Sequence, residues 1–535
     1  MRKVRQSIIG GDLAMTGPFG RRRVTYADFT ASGRAVSFIE DFIRDHVLPW
    51  YANTHSESSA TAAQTTALRE EARAVIRDAV GGDDDTVVIF TGSGSTGAID
   101  KLITVLGLRL PVAPPDRPVV FLGPYEHHSN ELPWRESSCD VVAIPEDADG
   151  HVSLPALRDE LLRHAARPLK IGSFSAASNV TGILTDTAAV TDLLHAHGAL
   201  AFWDCAAAAP HGGVRMGHKD AMFLSPHKFP GGPGTPGVLV VRRALLRNRV
   251  PSVPGGGTVA FVSATDHHYL GDAAQREEGG TPAIVESVRA GLVFGLQRAV
   301  GVEAIREREQ AVLRRALESW SAQENLEVLG NSDADRLAIV SLLVHGPSGK
   351  LLHHNYVAAL LNDLYGIQTR GGCSCAGPYG HRLLGIGPAR SRRFRDDVLA
   401  GREGGKPGWV RISFDYTMSD AVAGYVIEAV RQVAARGWTL LPDYRFDPAT
   451  GRWRHCRAAE PRLSLSGLRY TADDVRPPSD EDALPEAALR AHLADADRIL
   501  GAAAGPRLGR VAGGFEDAQW FELPPGCVAT AAAMP

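Results

Sequence analysis

One stretch of the chain could hold a reactive amine still. Ser225-Pro226-His227-Lys228 closes a hydrophobic approach, a Gly/Pro-rich loop runs on to Gly234, and Val238-Leu239-Val240-Val241 reads as a strand. A lysine held by rigid backbone on both sides and partly desolvated can react as a neutral nucleophile. A lysine in a turn is more often a plain surface residue, so the weight rests on its companions. Asp204 is one of them, an acid closing the strand-like run Ala199-Leu200-Ala201-Phe202-Trp203.

Three further stretches carry chemistry-bearing types. The buried-looking run Thr86–Phe90 leads into Thr91-Gly92-Ser93-Gly94-Ser95-Thr96-Gly97, with a helix expected from Ala98 to about Leu108. Free backbone N–H groups, hydroxyls and a helix dipole there would cradle a phosphate. The loop lacks a Walker A lysine, and taken alone it reads better as a plain strand-to-helix turn. Glu126-His127-His128-Ser129-Asn130 follows the strand Val119–Leu122. Its paired histidines suit a metal, although no third ligand has supporting spacing, or an imidazole stacked on a flat cofactor. Finally, Arg370-Gly371-Gly372-Cys373-Ser374-Cys375 places two thiols one residue apart in a loop. A thiolate there is a candidate nucleophile, and a C-x-C spacing strains any internal bridge.

The elements that must position these residues alternate between strand and helix from about 85 to 242, the pattern of an α/β domain with a mostly parallel sheet. The chemistry-bearing residues fall just after strands, where open α/β sheets bind ligands. A long helical region over about 283–325 leads to a smaller α+β unit. The boundaries read as an arm over 1–30, a large domain over 31–310, a small domain over 311–440 carrying the cysteine loop, and an extension over 441–535 with weak structure of its own. The 57 basic against 61 acidic residues give no polycationic footprint for nucleic acid. No apolar run has membrane-spanning length, and the N-terminus lacks the apolar segment of a signal peptide. Six cysteines make no disulfide framework, so a cytoplasmic location is expected.

Taken in order, these motifs resemble the pyridoxal-phosphate-dependent class V aminotransferase family, and within it the cysteine desulfurase/selenocysteine lyase branch, over about 25–435. The resemblance implies fold type I of the PLP-dependent transferases, an α/β large domain with a seven-stranded-type sheet beside a smaller α+β domain. It implies pyridoxal 5'-phosphate on Lys228, with Asp204 on the ring nitrogen, His127 stacked on the ring, and Asn179 near the phenolic oxygen and the substrate carboxylate. Ser95, Thr96, Ser225 and His227 would hold the phosphate, joined by Thr281 of a second copy, which implies a homodimer. Arg411 would grip the substrate carboxylate, with His55 and Arg370 beside the substrate. Cys375 would take sulfur from L-cysteine as a persulfide, for transfer onward to a sulfur-acceptor protein, and L-alanine would be released. No metal is implied.

The chain departs from that pattern at several places. Ala207 stands where the family has glutamine, Gly97 where glutamate is common, and Cys373-Ser374 where His-His is frequent. These differences leave room for transamination, epimerisation or C–S elimination on the same scaffold, or for a weakly active sulfur-carrier partner.

Overall fold

The computed structural model describes the chain except at positions 55, 57, 459–464, 466–468, 471–474, 477–482, 507–519, 525 and 529–535. Its centre is a seven-stranded sheet whose strands we number in chain order: β1 Thr86–Phe90, β2 Val119–Leu122, β3 Asp140–Ala143, β4 Lys170–Ser175, β5 Leu200–Asp204, β6 Ala221–Leu224 and β7 Val238–Arg242. The spatial order is β1-β7-β6-β5-β4-β2-β3. Every pairing that involves β7 is antiparallel and every other pairing is parallel. Six strands therefore end at one edge of the sheet, and the loops after them converge.

Strands of a sheet covered on both faces should read as continuous apolar runs, and β1 (Thr-Val-Val-Ile-Phe) and β2 (Val-Val-Phe-Leu) do so. The two-residue alternation of side chains then divides each strand between two cores. Val88, Phe90, Val119 and Phe121 pack on one face with Ile76 and Val288 from the helices Ala60–Ala79 and Ile284–Val300. Val87, Ile89, Val120 and Leu122 pack on the other, with Ile99 and Leu102 of the helix Gly94–Val105.

The long helical region is two helices, Ile284–Val300 and Val302–Ser321, broken at Gly301, whose φ of +91° favours glycine. The second helix sends Val312, Leu313, Ala316 and Trp320 into the small-domain core, so the 310/311 boundary falls inside a helix. The small domain is an antiparallel sheet with the order Leu326–Val328, Ile339–Val344, Trp409–Ser413, Arg370–Gly372. Arg370 sits directly opposite Arg411 in it. The N-terminal arm is stitched to the same domain. Thr25–Tyr26 pairs in parallel with Ile367–Gln368, and Ala27 and Phe29 enter its core.

The extension differs most from the sequence reading. It contains a helix, Ala488–Ala502, whose Leu489, Ala496 and Leu500 pack into the small-domain core. The hairpin Tyr444–Phe446 with Trp453–His455 packs there too, as do Phe521, Leu523 and Cys527. Trp520 donates its ring N–H to Gly405 O at 3.0 Å and stacks on His354. That contact braces the turn leading into the strand that carries Arg411. Scattered apolar residues between prolines and arginines carry no periodicity, so this packing left no local signature. Among the described residues no helix is long and apolar enough to cross a membrane. Phe521 is fully buried, so Phe521→Ala should cost about 3–5 kcal/mol. The check is the denaturant midpoint of the small-domain transition, and an unchanged midpoint would show that the extension is not part of this core.

Candidate functional site

The loops after β1, β4, β5 and β6 enclose a cavity of about 580 Å³, closed on its far side by Arg370, Ser374 and Arg411 of the small domain. Most sequence-predicted residues meet there: Ser95, Thr96, His127, Asn179, Asp204, Ser225, His227, Lys228, Arg370 and Arg411 all line it. Thr281 and Cys375 do not. Thr281 is exposed, within 3.4 Å of the Asn53 amide nitrogen. Cys375 is exposed while its neighbour Ser374 faces the cavity. His55 lies outside the described residues.

The anion-cradle helix starts at Gly94, four residues earlier than its sequence suggests. Ser95 and Thr96 thus occupy the first turn, where backbone N–H groups lack helical partners. Ser95 N–H donates to Ser225 Oγ at 2.9 Å, and the Thr96 and Ser129 hydroxyls lie 2.6 Å apart. Gly94 has φ +55°, and a Cβ there would come within 2.9 Å of Ser225 Oγ and 3.0 Å of His227 Cε1. Only glycine lets the loop after β6 close on the helix start.

Asp204 ends β5 with 5% exposure. Burial pushes its carboxyl pKa up, against the Ala206 N–H (2.9 Å to Oδ1), the Lys228 charge and the Ser95 hydroxyl. Lys228 is drawn down to about 8, chiefly by burial and further by Arg411 and Arg370, while Asp204 and Asp28 hold it up. A lysine in this state is a usable nucleophile near neutral pH. His127 Nδ1 accepts the Ser129 N–H at 3.1 Å, which puts the proton of the neutral ring on Nε2. Burial, then Lys228, lowers its pKa to about 3, so the ring stays neutral.

Sequence reasoning missed three supporting residues. Glu126 is buried beside His127. It accepts the Ser175 N–H (2.8 Å), the Ser175 hydroxyl (2.6 Å) and the Asn130 amide (2.6 Å), tying the histidine segment to the end of β4. Burial raises its pKa to about 7. Asp28 takes Arg411 Nη2 on one oxygen at 2.8 Å and Arg370 Nε near the other at 3.3 Å. One carboxylate from the arm thereby orders both guanidiniums, and nothing in the local Tyr26-Ala27-Asp28-Phe29 sequence announces it. His128 faces the cysteine loop: its backbone N–H donates to Cys375 O at 2.8 Å, and its Nε2 accepts the Gly377 N–H at 2.9 Å.

The cysteine loop is a tight turn closed by Ala376 N–H to Cys373 O at 3.1 Å. Ser374 and Cys375 have φ of +52° and +56°, which costs a residue with a Cβ roughly 1–2 kcal/mol. Asn179 Nδ2 secures Ser374 O at 2.8 Å, and Arg411 Nη1 secures Asn179 O at 3.1 Å. The Asn179 Oδ1, Ser374 Oγ and Arg411 Nε atoms are buried with no partner among the described residues.

A seven-stranded sheet of this order, with a buried lysine, a buried carboxylate and a helix-start anion cradle at its strand ends, defines an α/β enzyme of fold type I. The chain belongs to the class-V aminotransferase family, whose model matches residues 25–421; this is a family of pyridoxal-phosphate-dependent enzymes. A probable cysteine desulfurase of Halobacterium salinarum is 29% identical over 393 residues, covering 71% of this chain and 90% of that protein. A cysteine desulfurase of Dickeya dadantii is 30% identical over 364 residues, covering 66% and 84%. The structure of a cysteine desulfurase from Thermococcus onnurineus superposes with a TM-score of 0.64 at 24% identity, over 77% of this chain and 95% of that one.

The depressed Lys228 pKa has a direct test. In cofactor-free protein, the acylation rate of Lys228, followed peptide by peptide, should rise with pH through a midpoint near 8, whereas exposed lysines titrate near about 10.4. Asp204→Asn removes an anion that favours the charged amine and should move the midpoint lower still. A midpoint near that of surface lysines would show that the cavity does not desolvate the amine.

Proposed function

We propose that this chain is a cysteine desulfurase that converts L-cysteine to L-alanine and carries the sulfur on Cys375. The observation that carries the reading is the fastening of the Cys375 turn to the wall of the Lys228 cavity, through Asn179 and Ser374 on one side and His128 on the other. The residues present fit pyridoxal phosphate. Asn179 Oδ1 is a buried acceptor still wanting a partner, Asp204 is a buried acid suited to a protonated ring nitrogen, and the Gly94 cradle is narrowed to the point that a Cβ would clash.

In this reading Lys228 and Asp204 hold the cofactor, His127 lies against its face, and Ser95, Thr96, Ser225 and His227 take its phosphate. The bound cofactor supplies an electron sink that labilises bonds at the amino acid's α-carbon. Arg411 and Arg370, held by Asp28, present guanidinium N–H groups to the substrate carboxylate. Lys228 would move protons at the substrate's α-carbon. The Cys375 thiolate would attack the substrate sulfur; the new S–S bond forms as the S–Cβ bond breaks, the bonding pair stays with Cβ, which takes up a proton, and alanine leaves. The exposure of Cys375 suits onward delivery to an acceptor protein. The six thiols, all free, suit a reducing compartment such as the cytoplasm. Thr281, exposed and remote from its own chain's cavity, is reserved in this reading for the phosphate of a second copy in a homodimer.

A second reading rests on Ala206 and Ala207, which line the cavity where the family's glutamine would contribute an amide. Other amino-acid chemistry on the same scaffold follows if the product is not alanine. The deciding assay is alanine and sulfide from L-cysteine with a thiol reductant. Cys375→Ala and Lys228→Ala should each lose on the order of a thousandfold or more in rate. Undiminished alanine and sulfide release by Cys375→Ala would remove Cys375 from the role.

A further inference from the structure

The cysteine loop holds a second thiol that the reaction above does not use. Cys373 and Cys375 are the first and third residues of the turn closed by Ala376 N–H to Cys373 O, and both central residues are left-handed. A turn of this kind folds the chain back on itself, which shortens the span from residue 373 to residue 375 relative to an extended chain, toward the roughly 4.4–6.8 Å Cα separation of a disulfide. An extended chain, at about 3.3 Å per residue, would put them at its outer limit. The two thiols differ in setting. Cys373 is half-buried against the large-domain core, and Cys375 is exposed. The hydrogen bonds from Asn179 and His128 secure the backbone on both sides, and neither sulfur is hydrogen-bonded among the described residues. Left-handed, non-glycine residues persist only where the surroundings over-determine them, and they concentrate at functional sites.

We propose that Cys373 is a resolving thiol, so that, when no acceptor takes the sulfur, this enzyme discharges it as sulfide through an internal Cys373–Cys375 disulfide. The proposal rests on the desulfurase reading. The Cys373 thiolate attacks Sγ of the Cys375 persulfide. The Sγ373–Sγ375 bond forms and the bond from Sγ375 to the outer sulfur breaks. The outer sulfur leaves as hydrosulfide and takes up a proton. Sγ373 is oxidised by one electron, from the thiol to the disulfide level, the outer sulfur is reduced by one, to sulfide, and Sγ375 keeps its level, so this step needs no external oxidant or reductant. A two-residue spacing makes a strained, readily reduced disulfide. An external dithiol then resets the pair by thiol–disulfide exchange.

The test is a single turnover of the holoenzyme with L-cysteine and no reductant. Wild-type protein should release about one sulfide per alanine on the first turnover and then stall. Its Cys373–Cys375 peptide, isolated after blocking free thiols, should carry an internal disulfide. Cys373→Ser should instead retain the sulfur as a Cys375 persulfide and release at least about tenfold less sulfide per alanine. A dithiol should restart the wild type. In a second arm, cofactor-free protein is treated with inorganic polysulfide, which loads Cys375 without any amino-acid turnover. The same disulfide and sulfide should appear, and Cys373→Ser should hold the persulfide. Wild-type protein that keeps a stable persulfide in this arm overturns the proposal. Absence of alanine in the first arm, with the disulfide still formed in the second, overturns the substrate reading and leaves the dithiol chemistry standing.

Discussion

A buried amine and a buried carboxylate at the ends of neighbouring strands set the terms for the rest of this molecule. Isolated, either ion would cost several kcal/mol to desolvate. Lys228 after β6 and Asp204 at the end of β5 share one cavity, and each limits the other's shift. The remaining cavity groups protect that balance. Glu126 ties the His127 segment to β4 without adding a fixed charge pair, and the neutral His127 ring adds no second positive charge beside the lysine. The two arginines on the far wall press the amine toward its neutral form, and Asp28 keeps them from doing so without limit.

That far wall depends on the small domain, and the small domain depends on segments from both ends of the chain. The arm supplies Asp28 and a parallel strand pairing. The extension supplies Phe446, Trp453, Trp520 and Phe521 around His353 and His354, behind the strands bearing Arg370 and Arg411. Because the two arginines are paired in register, a slip of the Arg370 strand by one residue would turn Arg370 away from the cavity and from Arg411. The extension therefore belongs to the site mechanically although none of its described residues lines the cavity.

The cysteine turn joins the two halves. Its backbone is secured by Asn179 and His128 from the large domain, while its strand belongs to the small one. The same geometry separates the roles of adjacent side chains: Ser374 faces the cavity, Cys375 faces solvent, and Cys373 packs against apolar surface.

The sequence by itself determined the strands, the loops after them and the residue types placed on those loops. Two-residue and helical periodicities are local, and a Gly-rich break after an apolar run is a signal a few residues long. Lys228, Asp204, His127 and the Ser95–Thr96 pair were therefore legible, and so was the mostly parallel sheet that gathers them. Tertiary structure alone decided what is joined across hundreds of residues: Asp28 with Arg411, Trp520 with His354, Asn179 with Ser374. It also decided that the cradle helix begins at Gly94, that Thr281 lies away from its own cavity, and that Cys375 points outward while Ser374 points in. Those outcomes follow from packing and electrostatic pairing between distant segments, and no spacing along the chain encodes them.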